Sequence, residues 1–129
     1  MSKGTHDFAA DPRNATILIN VNGVMTPRAE AVVSVFDSGF MLGDGVWEGL
    51  RVHKGKIAFL DAHLDRLFEG AKAIAMDIGI TREALAERLY ESIAGNAMAD
   101  QEGVHIRLMV TRGIRSTPYQ DPRVVISPA

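Results

Sequence analysis

The chain has 129 residues and a formal net charge of −2, from 14 Lys and Arg against 16 Asp and Glu, which suits a single domain and argues against general nucleic-acid binding. Cysteine is absent, which excludes disulfides, cysteine-based metal sites and a cysteine nucleophile. No apolar run approaches the roughly 20 residues of a membrane helix, and the N-terminus lacks the apolar segment of a signal peptide. We therefore expect a cytoplasmic protein that binds neither nucleic acid nor membranes.

The first half of the chain is predicted to be a polar arm followed by antiparallel strands. Residues 1–14 are polar and are expected to form a flexible arm, so the folded domain is assigned to residues 15–129. The pair Asn22–Gly23 is a strong hairpin signal between a strand at 16–21 and a return strand ending near Pro27. Further strands are predicted at 31–36, 46–53 and 57–60.

The second half is predicted to contain two helices and then more strands. Asp61 is a candidate N-cap for a helix whose apolar stripe runs to Ile78, with Gly79 as its stop. Thr81 is predicted to cap a second helix that ends at Gly95–Asn96. The remaining segments are predicted as a strand at 104–111, a loop at 112–122 and a strand at 124–127. This pattern predicts an α+β fold, a two-layer sandwich of a mostly antiparallel sheet and two main helices.

The stretch from Phe36 to Arg51 concentrates the residue types of a ligand site. Turn residues mark its first half as a loop, and its second half alternates as a strand does. Trp47 and Arg51 would share one strand face with Gly49, an arrangement that suits a flat or anionic ligand. Spacing alone favours a simpler alternative, in which the stretch is a hairpin and Trp47 packs in the core.

The run from Leu42 to Arg51 (Leu-Gly-Asp-Gly-Val-Trp-Glu-Gly-Leu-Arg) resembles the N-terminal signature of class IV, or fold-type IV, pyridoxal-phosphate aminotransferases. Matching motifs follow in the same order at 55–60, 63–67 and 110–113. The family includes branched-chain and D-amino-acid aminotransferases and aminodeoxychorismate lyase. The resemblance implies the small N-terminal domain of this family, pyridoxal 5′-phosphate as cofactor, and amino acid and 2-oxo acid substrates. It also implies a homodimer, since the family builds its site at the subunit interface.

The resemblance also implies roles for individual residues. Arg66 matches the arginine that binds the cofactor phosphate, whereas spacing alone favours a surface arginine paired with Asp65 or Glu69. Arg107 matches an arginine that helps branched-chain enzymes bind the distal carboxylate of glutamate or 2-oxoglutarate. From the residues alone, a solvated sheet face explains Arg107 equally well. The substrate-binding positions implied by the resemblance are Trp47, Arg107, Leu42, Arg51 and His105.

Several positions depart from the family pattern and leave the substrate open. Branched-chain enzymes tend to have tyrosine where this chain has Leu42 and His105. D-amino-acid aminotransferases carry an Arg-x-His carboxylate trap where this chain has Thr117 and Tyr119. The histidines show no metal-ligand spacing, so no metal site is predicted.

No lysine of the chain matches the family lysine that forms the Schiff base and moves protons. The lysines are Lys3, Lys54, Lys56 and Lys72. We therefore expect an N-terminal fragment of an aminotransferase, first of the branched-chain type, with the catalytic-lysine domain absent. The fragment alone is expected to be inactive, and no catalytic residue is assigned within it. A lyase, a D-amino-acid aminotransferase and a non-enzymatic dimerisation or binding module are the alternatives.

Overall fold

The computed structural model describes residues 9–116 and 125–127 of the chain. In chain order the elements are β1 (Leu18–Val21), β2 (Val24–Pro27), α1 (Ser38–Leu42), β3 (Gly45–His53), β4 (Lys56–Ile57), α2 (Leu60–Ala73), α3 (Arg82–Gly95), β5 (His105–Thr111), β6 (Ile114–Arg115) and β7 (Val125–Ser127). Strand β3 lies between β4 and β5, while β1 pairs with β2 and β6 with β7, all antiparallel. The predicted α+β fold is therefore confirmed.

Strands β3 and β5 form the centre of the core. Their register sets Gly45 opposite Thr111 and Arg51 opposite His105. The predicted alternation is confirmed, because Leu50 and its inward neighbours are buried while the side chains between them face outward. The helices cover the inner face with aliphatic side chains at helical spacing. The buried residues of the two long helices are Leu64, Leu67, Ala71, Leu85, Leu89 and Ile93.

Helix α2 begins earlier than predicted, at Leu60, and without the predicted cap. Phe59 occupies the cap position with a left-handed backbone (φ 54°) and makes no capping hydrogen bond. Asp61 lies in the first turn instead, where its negative charge is favourable near the helix N-terminus. The return strand predicted at 57–60 is present but shorter, since β4 begins at Lys56 and the left-handed turn at Phe59 ends it at Ile57.

Helix α2 also ends well before the predicted stop at Gly79. It ends at Ala73, and Ala75 adopts a left-handed backbone with φ 53°. Arg112 donates hydrogen bonds to the carbonyl oxygens of Ile74 (2.6 Å) and Ala75 (3.0 Å). These carbonyl groups at the helix end are satisfied by a distant arginine rather than by a further helical turn, which local sequence does not reveal.

The predicted strand at 31–36 is wrong, and the following loop contains a short helix. Residues 31–36 form no strand, and the valines that suggested one stay exposed, since β-propensity depends on a partner strand to pack against. Helix α1 follows because Asp37 accepts a hydrogen bond from the amide of Gly39 at 2.8 Å. Gly43 ends it with a left-handed backbone. Residues that suit turns therefore serve here as helix caps.

Helix α3 matches its predicted ends, and its final cap also holds the N-terminal hairpin. The Thr81 hydroxyl oxygen accepts from the Ala84 amide at 3.1 Å. The Asn96 side chain accepts from the Leu18 amide at 2.7 Å and donates to the Leu18 carbonyl at 2.9 Å. It also donates to the Ser92 carbonyl. One side-chain amide therefore satisfies both backbone groups of Leu18 on the edge of β1.

We expect Asn96→Ala to lower the free energy of unfolding by about 1–3 kcal/mol, because the Leu18 amide and carbonyl lose their partners in a half-buried position. Urea unfolding measures the change. Asn14→Ala is the matched control, since the exposed Asn14 side chain makes no comparable bond in the described part of the chain. Equal stability of the two variants would contradict this role of Asn96.

The predicted flexible arm at 1–14 stays a prediction. Residues 1–8 lie outside the described residues, whereas Pro12–Asn14 form a 3-10 turn. The Arg13 guanidinium bonds the Gln101 side chain and the Glu102 carbonyl. Thr117 and Tyr119 also lie outside the described residues. Within residues 9–116 and 125–127, no helix has the length and apolar character that crossing a membrane requires.

Candidate functional site

Most of the sequence-predicted substrate residues lie on one side of the central sheet, which we call the outer face. The outer face consists of Trp47, Gly49 and Arg51 on β3 and His105, Arg107 and Met109 on β5. The Trp47 side chain is largely exposed, at 56%. The alternative in which Trp47 packs in the core is therefore wrong.

Arg107 and Trp47 are in direct contact on the outer face. The guanidinium carbon of Arg107 lies 3.6 Å from the centroid of the Trp47 ring, a cation–π contact. Arg107 stands opposite Gly49 in the strand register, and a Cβ atom on Gly49 would lie 3.3 Å from His105. The missing side chain at Gly49 thus keeps open the space between the aromatic ring and the basic groups. The result is a flat, positively charged surface suited to an anionic or planar ligand.

Glu48 points from β3 in the opposite direction, into the domain. It is only 2% exposed, and a buried carboxylate must be paired and hydrogen-bonded to remain charged. Two residues of helix α2 provide this pairing. His63 Nδ1 lies 2.7 Å from one carboxylate oxygen, and Arg66 bonds both oxygens.

Arg66 forms a bidentate ion pair with Glu48, while most of its side chain stays in contact with solvent. Arg66 Nε donates to Glu48 Oε1 at 2.6 Å and Nη2 donates to Oε2 at 2.7 Å. The Arg66 side chain is nevertheless 73% exposed. The surface pairing with Asp65 or Glu69 that spacing favoured is not formed, because Asp65 pairs with Arg82 instead. The other N–H groups of Arg66 have no acceptor among the described residues and are available to an anion.

The hydrogen bond from Arg66 lowers the pKa of Glu48 from its ordinary value of 4.5 to about 2, and with the smaller contribution of His63 it outweighs the opposing effect of burial. Because the pKa of Glu48 is lower in the folded state than in the unfolded state, its charged carboxylate stabilises the fold at every pH above the unfolded pKa. That contribution is lost as pH falls from about 4.5 to about 2.

We expect the free energy of unfolding to fall by roughly 3 kcal/mol across this acid window through Glu48 alone. Other carboxylates titrate there too, so the measured quantity is the difference between the protein and Glu48→Gln in urea unfolding at several pH values. The variant should lack this part of the acid sensitivity. Parallel stability curves for the two proteins would show that Glu48 is not held in the charged form.

A second ion pair fixes the entrance of β3. Arg112 Nε donates to Asp44 Oδ2 at 2.7 Å, and Nη2 reaches Oδ1 at 3.2 Å. Arg115 also contacts Asp44. The bond from Arg112 is the main reason that the pKa of Asp44 lies below its usual value. Since Arg112 also holds the end of α2, it connects the glycine turn before β3 to the helix that carries Arg66.

The structure brings some predicted residues together and separates others. Trp47, Arg107, Arg51 and His105 share the outer face, whereas Arg66 is bonded to Glu48 on the other side of β3. Leu42 is the last residue of α1 and is only partly covered.

Sequence reasoning missed Glu48 and His63 as parts of the candidate site. An acid between the inward residues Val46 and Leu50 is a signal that a cationic partner must lie nearby. His63 and Arg66 are three residues apart and therefore share one helix face. In the part of the chain that the structure describes, no group of three or more His, Cys, Asp or Glu side chains could hold a metal ion.

Comparison with known proteins places these features in a family. A sequence model described as "Amino-transferase class IV" matches residues 45–129. A branched-chain-amino-acid aminotransferase-like protein from Arabidopsis thaliana is 48% identical over 86% of the chain. A putative branched-chain-amino-acid aminotransferase from Methanocaldococcus jannaschii is 41% identical over 81%, and a D-alanine aminotransferase from Listeria monocytogenes is 34% identical over 84%.

Solved structures agree with the sequence comparison. A branched-chain amino acid aminotransferase complexed with N-(5′-phosphopyridoxyl)-L-glutamate matches with a TM-score of 0.73 and 27% identity over 88% of the chain. A 4-amino-4-deoxychorismate lyase from Pseudomonas aeruginosa matches with a TM-score of 0.61 and 35% identity over 76%.

The chain spans only part of these proteins. It covers 20% of the Arabidopsis relative, 35% of the other two relatives, and 38% and 33% of the two solved chains. The family match nevertheless covers most of the chain, and several relatives exceed 30% identity. The chain belongs to the class IV aminotransferase family.

Proposed function

We propose that the chain is the N-terminal part of a pyridoxal-phosphate-dependent aminotransferase that moves an amino group between an amino acid and a 2-oxo acid. The main support is the geometry of Arg66. Two hydrogen bonds to Glu48 fix its guanidinium group, and the remaining N–H groups of Arg66 stay open to an anion. Bound pyridoxal phosphate would supply the electron sink for the reaction. The branched-chain aminotransferase structure with its phosphopyridoxyl ligand supports the same cofactor for this chain.

The donor set of the chain fits the phosphate of this cofactor. A guanidinium group binds phosphate well, because it presents cationic N–H donors in a fixed planar fork. Glu48 orients Arg66 without exposing its own charge, since the carboxylate is buried. Lys54 and Lys56 adjoin a turn of the sheet, and Lys72 lies in the last turn of α2. We propose that the Schiff-base lysine comes from a further domain of the protein.

We propose that the outer face contributes to the substrate pocket. Arg107 offers its charge to a carboxylate, and the stacked Trp47 ring holds the guanidinium in place. Arg51 and His105 add basic groups on the same face. Leu42 would contribute an apolar contact where branched-chain enzymes tend to have tyrosine.

Branched-chain amino acids are the first choice of substrate, because the 48% and 41% identical relatives carry that name. The lyase structure at 35% identity favours a second candidate, the cleavage of aminodeoxychorismate. A D-amino-acid aminotransferase is a third, favoured by the Listeria relative. Thr117 and Tyr119, in place of the Arg-x-His trap, weigh against that third candidate.

A substrate panel on the full-length protein separates these functions. L-leucine, L-isoleucine and L-valine with 2-oxoglutarate should give glutamate, whereas D-alanine should not. Pyruvate and an aminobenzoate formed from aminodeoxychorismate would instead identify the lyase. The isolated 129-residue chain should give no turnover with any of them. Absence of all these activities from the cofactor-loaded full-length protein would favour a non-enzymatic binding module.

We propose further that the full-length protein is a homodimer and that it resides in the cytosol, where a sequence without cysteine needs no oxidising compartment. Several large apolar side chains before β3 lie open to solvent, which supports burial against another surface. They are Val32, Val33, Val35, Phe36 and Phe40. Analytical ultracentrifugation should show a dimer, and a monomer at micromolar concentration would contradict it.

A further inference from the structure

A cavity of about 740 Å³ lies between the N-terminal hairpin, helix α3 and the length of β5. Its size falls within the range of small-molecule sites, roughly 300–1,000 Å³. The walls are mainly aliphatic and come from three separate parts of the fold. Wall residues include Leu18, Ile80, Leu89, Ile93, Ile106 and Leu108.

At the hairpin side of this cavity, a buried amide and a half-buried arginine have no hydrogen-bond acceptor among the described residues. Asn20 accepts from the Gly23 amide through Oδ1 at 2.8 Å, but its Nδ2 group is buried and unpartnered. Arg88 lies against the hairpin turn, where a Cβ atom on Gly23 would be 3.1 Å from its guanidinium carbon. Within the described residues, no acidic side chain forms an ion pair with Arg88. Both residues line the cavity.

Arg88 is the charged side chain on the helix wall of the cavity, while Asp and Glu are absent from its lining among the described residues. His105 and Arg107 belong to the stretch of β5 that borders the cavity, but their side chains lie on the outer face with Trp47. A buried donor without an acceptor is costly, and an anion would remove that cost. Aliphatic walls in turn favour a ligand that buries hydrocarbon.

We propose that this cavity binds an aliphatic carboxylate, with the carboxylate group at Arg88 and Asn20 and the hydrocarbon chain among the aliphatic walls. A carboxylate matches the arginine fork and can also accept from the Asn20 amide. A cationic or neutral amphiphile of equal length would bury the same hydrocarbon chain, but it has no negatively charged acceptor for Arg88 and Asn20. The proposal is independent of the transaminase function, since it uses neither Arg66 nor the stacked Trp47 ring.

Calorimetric titration with decanoate, octanoate, decanol and decylammonium, each kept below its micellar concentration, tests the proposal. Decanoate should bind at least tenfold more tightly than decanol or decylammonium. Octanoate should bind about 16-fold more weakly than decanoate, because it has two methylene groups fewer and each contributes roughly a fourfold change in affinity. Equal binding of the cationic and anionic amphiphiles would overturn the proposal.

Two variants on α3 test the position of the carboxylate. Arg88→Gln should weaken decanoate binding at least tenfold, and Arg88→Lys should restore part of it. Arg82→Gln makes the same charge change on the same helix outside the cavity, and it should leave the affinity unchanged. If Arg88→Gln folds and binds decanoate normally, the proposal is wrong.

Methyl NMR of the unaltered protein provides a test that needs no variant. Decanoate should shift the methyl signals of Ile80, Ile93 and Ile106, which line the cavity. The methyl group of Ile57, which lies in the core away from this lining, is the internal control. Shifts confined to exposed residues, or no shifts at all, would overturn the proposal.

Discussion

Replacing Arg66 by glutamine should weaken pyridoxal-phosphate binding by the full-length protein about 10- to 100-fold. A hydrogen bond to a charged group contributes about 1.5–3 kcal/mol, and glutamine is shorter than arginine and lacks both the charge and the fork of donors. The loss should appear as a higher dissociation constant in equilibrium dialysis. Pyridoxal, which lacks the phosphate, should bind the variant and the unaltered protein equally.

Lys72→Gln is the matched control, because it removes one positive charge from the same helix α2. This control should bind pyridoxal phosphate normally, which would exclude a general effect of charge. If Arg66→Gln weakens pyridoxal and pyridoxal phosphate by the same factor, Arg66 does not contact the phosphate. In that case its contact with Glu48 serves the fold alone.

Replacing Glu48 by alanine should destabilise the fold by about 2–3 kcal/mol. Breaking a buried ion pair costs about 3–5 kcal/mol when the remaining charge is trapped. The cost here is smaller because Arg66 is mostly exposed and regains water when it loses its partner. Urea unfolding at neutral pH measures the loss. Glu69→Ala removes a carboxylate from the same helix as Arg66 and should change the stability by less than about 0.5 kcal/mol.

Glu48→Ala should also weaken phosphate binding, because Arg66 would no longer be oriented. A double-mutant cycle with Arg66→Ala measures how much of the stability loss comes from the contact between Glu48 and Arg66. The coupling free energy between Glu48 and Arg66 should be about 1–3 kcal/mol in unfolding. Additive losses in the cycle would mean that the observed contact contributes nothing, despite its short distances.

The parts of the fold that sequence predicted well depend on local patterns. Strands β3 and β5 alternate cleanly, and Thr81 has the side chain that a helix N-cap needs. Such signals act within a few residues, so the sequence alone contains them. Trp47 and Arg107 were assigned through the resemblance to the family. The structure shows them in contact on the outer face, and their role in substrate binding stays a prediction.

The incorrect predictions all depend on distant contacts or unusual backbone. Arg112 lies far along the chain from Ile74 and Ala75, yet it satisfies their carbonyl groups and fixes the end of α2. Phe59 takes a left-handed backbone that a phenylalanine seldom adopts. Glu48 and Arg66 are 18 positions apart, so only the tertiary fold shows that the buried acid orients the exposed arginine.

The most direct test of the proposed function is the fate of the cofactor itself. The full-length protein is loaded with pyridoxal phosphate, mixed with L-leucine without an acceptor, and the released cofactor is identified by mass spectrometry. Amino transfer predicts conversion to pyridoxamine phosphate, with one 2-oxo acid formed for each cofactor converted. Unchanged pyridoxal phosphate after exposure to the branched-chain amino acids, glutamate and D-alanine would contradict the assignment as an aminotransferase.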